Sequence, residues 1–176
     1  MEDIFNQPTE MVHIRDVSRQ QREIQRAAQL LKAGELVAFP TETVYGIGAL
    51  GLNVGAVERL YAAKNRPVGK AFSLQVANVN MIQQIAAYVP LMARKLLDKF
   101  APGPITVVLP KAAQVPELVT GGRDTVGIRI PDNPVALAVL QAVGAPLAVP
   151  SANISGHVSP KSGADVFGDM AGRLAM

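Results

Sequence analysis

Ile24, Ala27, Ala28 and Leu31 fall three and four residues apart, the spacing of one helix face. Ser18 with Gln21 ahead of them has the form of a capping box. Gly34 stands where a helix C′ residue belongs, so the first helix is predicted to end there. Four apolar residues, Leu36-Val37-Ala38-Phe39, then predict a buried strand. Val57, Leu60 and Tyr61 return to helical spacing and predict a helix over 55–64, whereas Phe72-Ser73-Leu74-Gln75-Val76 alternates and predicts a strand. Further helices are predicted over 79–87 and 90–100, with strands over 105–109 and 125–130. Asn133-Pro134 supplies an N-cap and an N1 proline for a helix through Val143. A short strand over 147–149 and a last helix over 163–170 complete the pattern.

Strands and helices thus intermix along the whole chain, and some strands follow one another with no helix between. This predicts an α/β fold with a mixed sheet rather than a purely parallel one. No repeat, low-complexity tract or long linker divides the 176 residues, so residues 1–176 are expected to form a single domain. Hydrophobic residues make up 49% and charged residues 18%, a balance that supports a packed core and excludes global disorder.

Composition narrows the chemistry. With no cysteine, a disulfide scaffold, a thiolate metal site and a cysteine nucleophile are excluded. The two histidines, His13 and His157, argue against a His-rich metal cage or a multi-histidine proton relay. No G-x-S-x-G elbow is present to support a Ser-His-Asp hydrolase. There is no tryptophan, and five Phe with three Tyr supply a poor platform for stacking many bases. The net charge of +3 and pI near 9.4 favour anionic partners. Met1-Glu2-Asp3-Ile4 lacks the basic-then-apolar pattern of a signal peptide. The most apolar stretch, 135–150, is broken by Gln141, Gly144 and Pro146 and is too short to span a bilayer. A cytoplasmic location with no membrane association is expected.

Four connections concentrate functional groups. Residues 39–48, Phe-Pro-Thr-Glu-Thr-Val-Tyr-Gly-Ile-Gly, leave a buried strand and offer two hydroxyls, a carboxylate, a phenol and two glycines. They are read as a turn or ligand loop in which glycine permits close backbone approach. Lys64-Asn65-Arg66-Pro67-Val68-Gly69-Lys70 places three cations at a helix end, which suits a triphosphate or complements the helix dipole from solvent. Pro67 disfavours a helical Arg66; an extended Lys64-Asn65-Arg66 would turn both cations toward one ligand. Gly69-Lys70 is not a P-loop ending, because position 64 is Lys where glycine is required and Ala71 replaces Ser/Thr. Ser151 and Asn153 repeat the i, i+2 arrangement in Val149-Pro150-Ser151-Ala152-Asn153 and can bond phosphate, ribose or carboxylate oxygens. Arg129 sits between Ile128 and Ile130; it either faces solvent or reaches into a cleft to clamp a carboxylate. Arg15, Arg19, Arg22 and Arg26 form a stripe on the first helix, either a solvated face or an RNA or membrane contact.

Taken in order, five strings resemble the YrdC/TsaC family of threonylcarbamoyl-AMP synthases. They are Phe39-Pro40-Thr41-Glu42-Thr43-Val44-Tyr45-Gly46, Lys64-Asn65-Arg66-Pro67, Pro102-Gly103-Pro104-Ile105-Thr106, Val126-Gly127-Ile128-Arg129-Ile130-Pro131 and Pro150-Ser151-Ala152-Asn153. The resemblance implies a twisted mixed sheet with flanking helices around a deep, basic cleft. It implies synthesis of L-threonylcarbamoyl-AMP from L-threonine, bicarbonate or CO2, and ATP with Mg2+, releasing pyrophosphate. The product serves N6-threonylcarbamoyladenosine modification of tRNA, so tRNA threonylcarbamoyl-transfer proteins are implied partners. The family's K-x-R and S-x-N signature falls on Lys64, Arg66, Ser151 and Asn153, which would hold the ATP phosphates and stabilise developing charge. Lys70, Thr125 and Ser159 fall on the nucleotide side; Thr43, Arg129 and the backbone at Val149 fall on the threonine side.

The sequence departs from the family at Ala71, where proline is usual, and at Asn133, where histidine is frequent. Gln75 stands where some members carry a threonine-site histidine, whose role is therefore not assigned to it. Members continue into a Gly-rich turn and a Glu-Ser-Thr strand, so the C-terminal end of the family domain is expected to be missing from these 176 residues. Two other functions remain open: a non-catalytic RNA- or nucleotide-binding module of the same fold, contacting tRNA or double-stranded RNA, and carbamoyl-adenylate chemistry with another acceptor.

Overall fold

The apolar face of Ile24, Ala27, Ala28 and Leu31 is buried along helix α1 (Gln21–Lys32) in the computed structural model, which describes Phe5 and residues 8–176. The signal-peptide expectation at Met1-Glu2-Asp3-Ile4 lies outside the described residues. The N-terminus of α1 corrects the capping-box expectation. Ser18 is spent on Asp16, its N–H donating at 2.9 Å and its hydroxyl at 2.6 Å, and Gln20 occupies the N-cap without a side-chain bond to the helix. Arg15 and Arg19 therefore precede the helix, and the expected four-arginine helical stripe is shortened to Arg22 and Arg26. Gly34 adopts φ +85° just beyond the Ala33 C-cap, as its placement predicts.

The sheet has the order β1-β2-β6-β3-β5-β4. Its strands are β1 (Val37–Pro40), β2 (Tyr45–Leu50), β3 (Leu74–Gln75), β4 (Val107–Pro110), β5 (Thr125–Arg129) and β6 (Leu147–Ala148). The pairing between β3 and β5 is parallel and the other neighbours run antiparallel, so the expected mixed, twisted sheet is present. The remaining helices are α2 (Val54–Ala63), α3 (Leu91–Phe100), α4 (Glu117–Thr120), α5 (Pro134–Val143) and α6 (Gly163–Met170). Helix α1 packs on α5 and β1, while α2 packs on β2. Leu31, Leu36, Ile47, Leu60, Leu74, Ile128 and Leu140 lie in the solvent-free core.

The main correction is β2. Residues 39–48 are the two arms of a hairpin with a short turn, not one long loop. The turn is organised by Thr41, whose hydroxyl donates to Val44 O (2.6 Å) and accepts from the Thr43 and Val44 N–H groups (both 3.3 Å). Glycines 46 and 48 are strand residues that make room. A Cβ on Gly48 would stand 2.8 Å from the Phe39 ring, and one on Gly46 would stand 2.5 Å from Val149 Cγ1.

The segment expected as a helix over 79–87 is a 3-10 helix, Val79–Gln84, because the following backbone is drawn onto the end of β4. Ala86 bridges Lys111 and Ala87 N–H donates to Pro110 O at 2.9 Å. The strands predicted over 72–76 and 147–149 shorten to β3 and β6; Phe72 N–H is taken instead by Val119 O (2.8 Å). The four-residue α4, closed by Gly121 at φ +61°, is too short to show helical periodicity. Asn133 caps α5 as expected, accepting from the N–H groups of Val135 (2.9 Å) and Ala136 (3.2 Å). Among the described residues no helix is long and apolar enough to cross a membrane.

Candidate active site

The β1–β2 turn carries one group of functional side chains. Arg129, at the end of β5, reaches across to it: one guanidinium N–H group donates to Glu42 Oε1 (2.6 Å) and to Thr43 Oγ1 (3.1 Å). Thr43 and Arg129, both expected on the same side, are thus brought together. Arg129 and Glu42 are only 16% and 18% exposed, so Arg129 does not project into solvent. Its Nε and the second oxygen of Glu42 are buried without a hydrogen-bond partner among the described residues. Gln75 is the register partner of Arg129 on β3, which places both side chains on one face of the sheet. Its Oε1 is likewise buried and unpartnered. Glu42 stands in the sequence between two threonines without a distinguishing signal, and its pairing with residue 129 emerges only from the fold.

The second group surrounds Lys64. The expected extended conformation of Lys64-Asn65-Arg66 is corrected: Lys64 is the C-cap of α2 and Asn65 is left-handed, φ +47°. Asn65 N–H donates to Ala62 O (3.1 Å) and Arg66 N–H to Tyr61 O (3.0 Å), the bond pair of a Schellman motif. Asparagine tolerates this backbone through its short polar side chain. The two cations therefore diverge in their contacts. Lys64 is 2% exposed, and its ammonium donates to Ser151 O (2.6 Å) and Asn153 O. Arg66 lies with its guanidinium 4.8 Å from the Phe72 ring centre and donates to Lys70 O (3.2 Å) and Ala71 O (2.9 Å).

Burial and the neighbouring Arg66 charge pull the Lys64 pKa down to about 8, with Asp169 opposing them. Asp169 itself is pulled upward by burial, but the Ile154 N–H, His157 and Lys64 outweigh this and hold it below the ordinary carboxylate value. Asn153 is 5% exposed; its amide donates to Ile154 O (2.8 Å) and His157 O (3.0 Å), while its Oδ1 is buried without a partner.

The S-x-N segment joins the two groups through backbone. Gly46 bridges Ser151, Ile47 N–H donates to Pro150 O (2.9 Å) and Ala152 N–H donates to Tyr45 O (2.9 Å). Val149 packs its side chain against Gly46 and donates its N–H to Ser73 O at 3.2 Å. Lys70 and Thr125 are exposed at the 65–70 loop and the start of β5, and Ser159 is exposed beyond the S-x-N turn. The 65–70 and 120–123 loops pack backbone to backbone: a Cβ on Gly121 would fall 2.3 Å from Gly69 O. An apolar cavity of about 470 Å³, walled by Met11, Phe39, Tyr45, Val139 and Phe167, is lined by none of the ten expected site residues.

Residues 29–176 match the Sua5_yciO_yrdC family model, described as "Telomere recombination". The chain is 44% identical over 151 residues to threonylcarbamoyl-AMP synthase of Pyrococcus abyssi (strain GE5 / Orsay), covering 86% of this chain and 44% of the relative. It is 42% identical over 161 residues to threonylcarbamoyl-AMP synthase of Bacillus subtilis (strain 168), covering 91% and 46% respectively. The solved structure of P. abyssi Sua5 complexed with L-threonine superposes with a TM-score of 0.86 at 40% identity, over 95% of this chain and 47% of that one. The chain therefore spans less than half the length of these relatives.

Proposed function

Since the chain belongs to the Sua5_yciO_yrdC family, we propose that it synthesises L-threonylcarbamoyl-AMP from L-threonine, bicarbonate or CO2, and ATP. The observation that carries this reading is a buried ammonium at Lys64 meeting the S-x-N turn beside a second cation. A carbamate oxygen of N-carboxythreonine attacks the α-phosphorus of ATP; the new O–P bond forms as the bond to the bridging oxygen breaks, and pyrophosphate leaves with that electron pair. Such a displacement needs positioned positive charge and hydrogen-bond donors more than an acid or base. Lys64 and Arg66 supply the charge, Ser151 and Asn153 the polar contacts, and Lys70, Thr125 and Ser159 extend the nucleotide side. Thr43, Arg129 and the Val149 backbone receive threonine. The unpartnered Arg129 Nε suits the amino-acid carboxylate, and the unpartnered Glu42 and Gln75 oxygens suit donors of the same ligand.

Among the described residues no group of three or more His, Cys, Asp or Glu is placed to hold a metal ion. Magnesium would arrive on the nucleotide's phosphates. The deep basic cleft, the nucleotidyltransferase class, a cytoplasmic location, service to tRNA N6-threonylcarbamoyladenosine formation and its transfer proteins belong to the same proposal. The alternative of a non-catalytic RNA- or nucleotide-binding module keeps less support. Arg19 pairs with Asp16 (3.4 Å) and Arg26 with Glu10 (2.8 Å), which reduces the free positive charge of the arginine stripe.

Pyrophosphate release that requires threonine, bicarbonate and ATP together is the direct test. The double variant Lys64→Ala, Arg66→Ala should lower that rate by about a hundredfold or more. A double variant as active as the parent would refute the assigned roles.

A further inference from the structure

We propose that Asp169, on α6, is a positioning residue for the Lys64 ammonium, acting through the turn that grips it; the inference rests on the adenylation reading above. The turn closes on both ends of Lys64. Carbonyl groups of Ser151 and Asn153 accept from its ammonium, and Ser155 N–H donates to its main-chain oxygen at 2.8 Å. On the α6 side the turn is anchored by a carboxylate. Asp169 Oδ2 accepts from Ile154 N–H (2.7 Å), and Oδ1 lies 2.6 Å from His157 Nδ1. Both oxygens are spent on residues of the turn. Asn153 completes the brace from inside, its amide tying Ile154 O and His157 O.

Helix α6 is itself fixed at both ends. Ser162 and Asp165 form a reciprocal capping box at its start. Beyond its end, Arg173 donates to Ala63 O (3.1 Å) in the last turn of α2. Helix α6 and the segment that follows it therefore touch the turn that grips Lys64 and the end of the helix that Lys64 caps. The charged or titratable groups facing this arrangement are Arg66 on the lysine's own turn, His157 on the gripping turn, Asp169 on α6 and Arg173 after it. Asp169 is the anion that favours the charged lysine, against burial and Arg66. Its geometric and electrostatic effects thus converge on one result, an ammonium that is held in place by the turn and favoured in its charged form.

The test compares the 176-residue parent with Asp169→Asn and Asp169→Glu, folding being checked by far-UV circular dichroism. Protonation of Lys64 is read by the pH dependence of its side-chain 13Cε shift in NMR, assigned with Lys64→Met, and turnover by pyrophosphate release. Asp169→Asn is expected to move the Lys64 midpoint below its parent value and to move the alkaline limb of kcat with it. It should lower kcat about tenfold, as for a lost charge-assisted contact. Asp169→Glu, which keeps the charge, should restore the Lys64 midpoint while kcat stays reduced. An unchanged Lys64 midpoint in Asp169→Asn overturns the proposal. If Asp169→Asn does not fold, Asp169→Glu decides: a reduced kcat supports positioning, and a parental kcat overturns it. A parent that releases no pyrophosphate defeats the adenylation reading, and the Lys64 midpoints then decide the role of Asp169 alone.

Discussion

Carrying a buried ammonium sets a measurable pH dependence on stability, and Lys64→Met isolates it. The folded lysine has a pKa of about 8, against 10.5 for an unperturbed side chain. Between those values the unfolded chain binds a proton that the folded chain has released. Stability therefore rises with pH across this window, because the unfolded state carries the excess proton. Below pH 8 both states are protonated and the dependence is flat. The full gap, at roughly 1.4 kcal/mol per pKa unit, amounts to about 3 kcal/mol. Most of it, about 2 kcal/mol, develops between pH 7 and pH 9.5.

Methionine keeps a flexible stem of comparable size but has no titrating group. Urea unfolding of the parent and Lys64→Met at intervals across this range gives the two stability curves, and their difference cancels titrations common to both. The parent should gain about 2 kcal/mol on the variant over the range, starting near pH 8. Parallel curves would show that Lys64 titrates as an exposed lysine does, and the buried, charge-poised site would have to be abandoned. Anionic phosphates bound beside Lys64 favour its charged form. Above pH 8, ATP binding should thus take up protons, seen as a buffer-dependent binding enthalpy that Lys64→Met lacks.

Arg129→Lys keeps the charge but loses the planar fork, so the stabilisation of the protein by threonine in a thermal-shift titration should fall at least several-fold while the ATP effect persists; an unchanged threonine effect refutes the carboxylate-clamp role. Gly46→Ala drives a Cβ to 2.5 Å from Val149 Cγ1, and should cost about 1–3 kcal/mol in urea unfolding; a neutral result would mean that β2 and Val149 separate without penalty. Ser151→Ala deletes a hydroxyl but leaves the carbonyl that holds Lys64. Its unfolding curve should match the parent within about 0.5 kcal/mol, with the loss appearing in pyrophosphate release; an unaltered rate removes Ser151 from the phosphate contacts.

Where the local sequence dominates, the fold was legible. The α1 face, Gly34, the Asn133-Pro134 cap and the α6 span all follow from spacing and capping chemistry. Failures occurred where distant backbone decides. Glycines 46 and 48 look like loop residues until Val149 and Phe39 are seen packed against them. Ser18 has the spacing of a cap, but Asp16 two residues away competes for it successfully. The 3-10 segment after Val79 ends because residues 86 and 87 are drawn to the end of β4. At the candidate site, the i, i+2 spacing of Lys64 and Arg66 predicts an extended segment that the fold does not form. Asn65, two residues before Pro67, is left-handed, and a Schellman turn, not an extended strand, separates the two cations. Glu42 and Asp169 carry no readable signal because their partners, Arg129 for the one and Ile154 and His157 for the other, are set by the fold and not by a motif.

The contacts around Lys64 also explain how a motif can be both scaffold and chemistry. Ser151 and Asn153 hold the ammonium with main-chain carbonyls, a capacity every residue has. That grip fixes the path of the turn but does not require serine or asparagine. What those residue types add is a hydroxyl, the Asn153 amide donors that tie Ile154 O and His157 O, and a buried Asn153 oxygen with no partner among the described residues. A purely structural turn gains nothing from the last, since an unpaired buried acceptor costs about 1–3 kcal/mol. The same asymmetry recurs at the other group, where Arg129 and Glu42 satisfy each other at one atom each and leave Nε and Oε2 unpaired. Both groups are thus held by bonds that leave polar atoms unpaired at the hairpin and the S-x-N turn. Unpaired buried atoms at two neighbouring places are what a site that takes up a polar ligand would show, in keeping with the function proposed for the hairpin and the S-x-N turn.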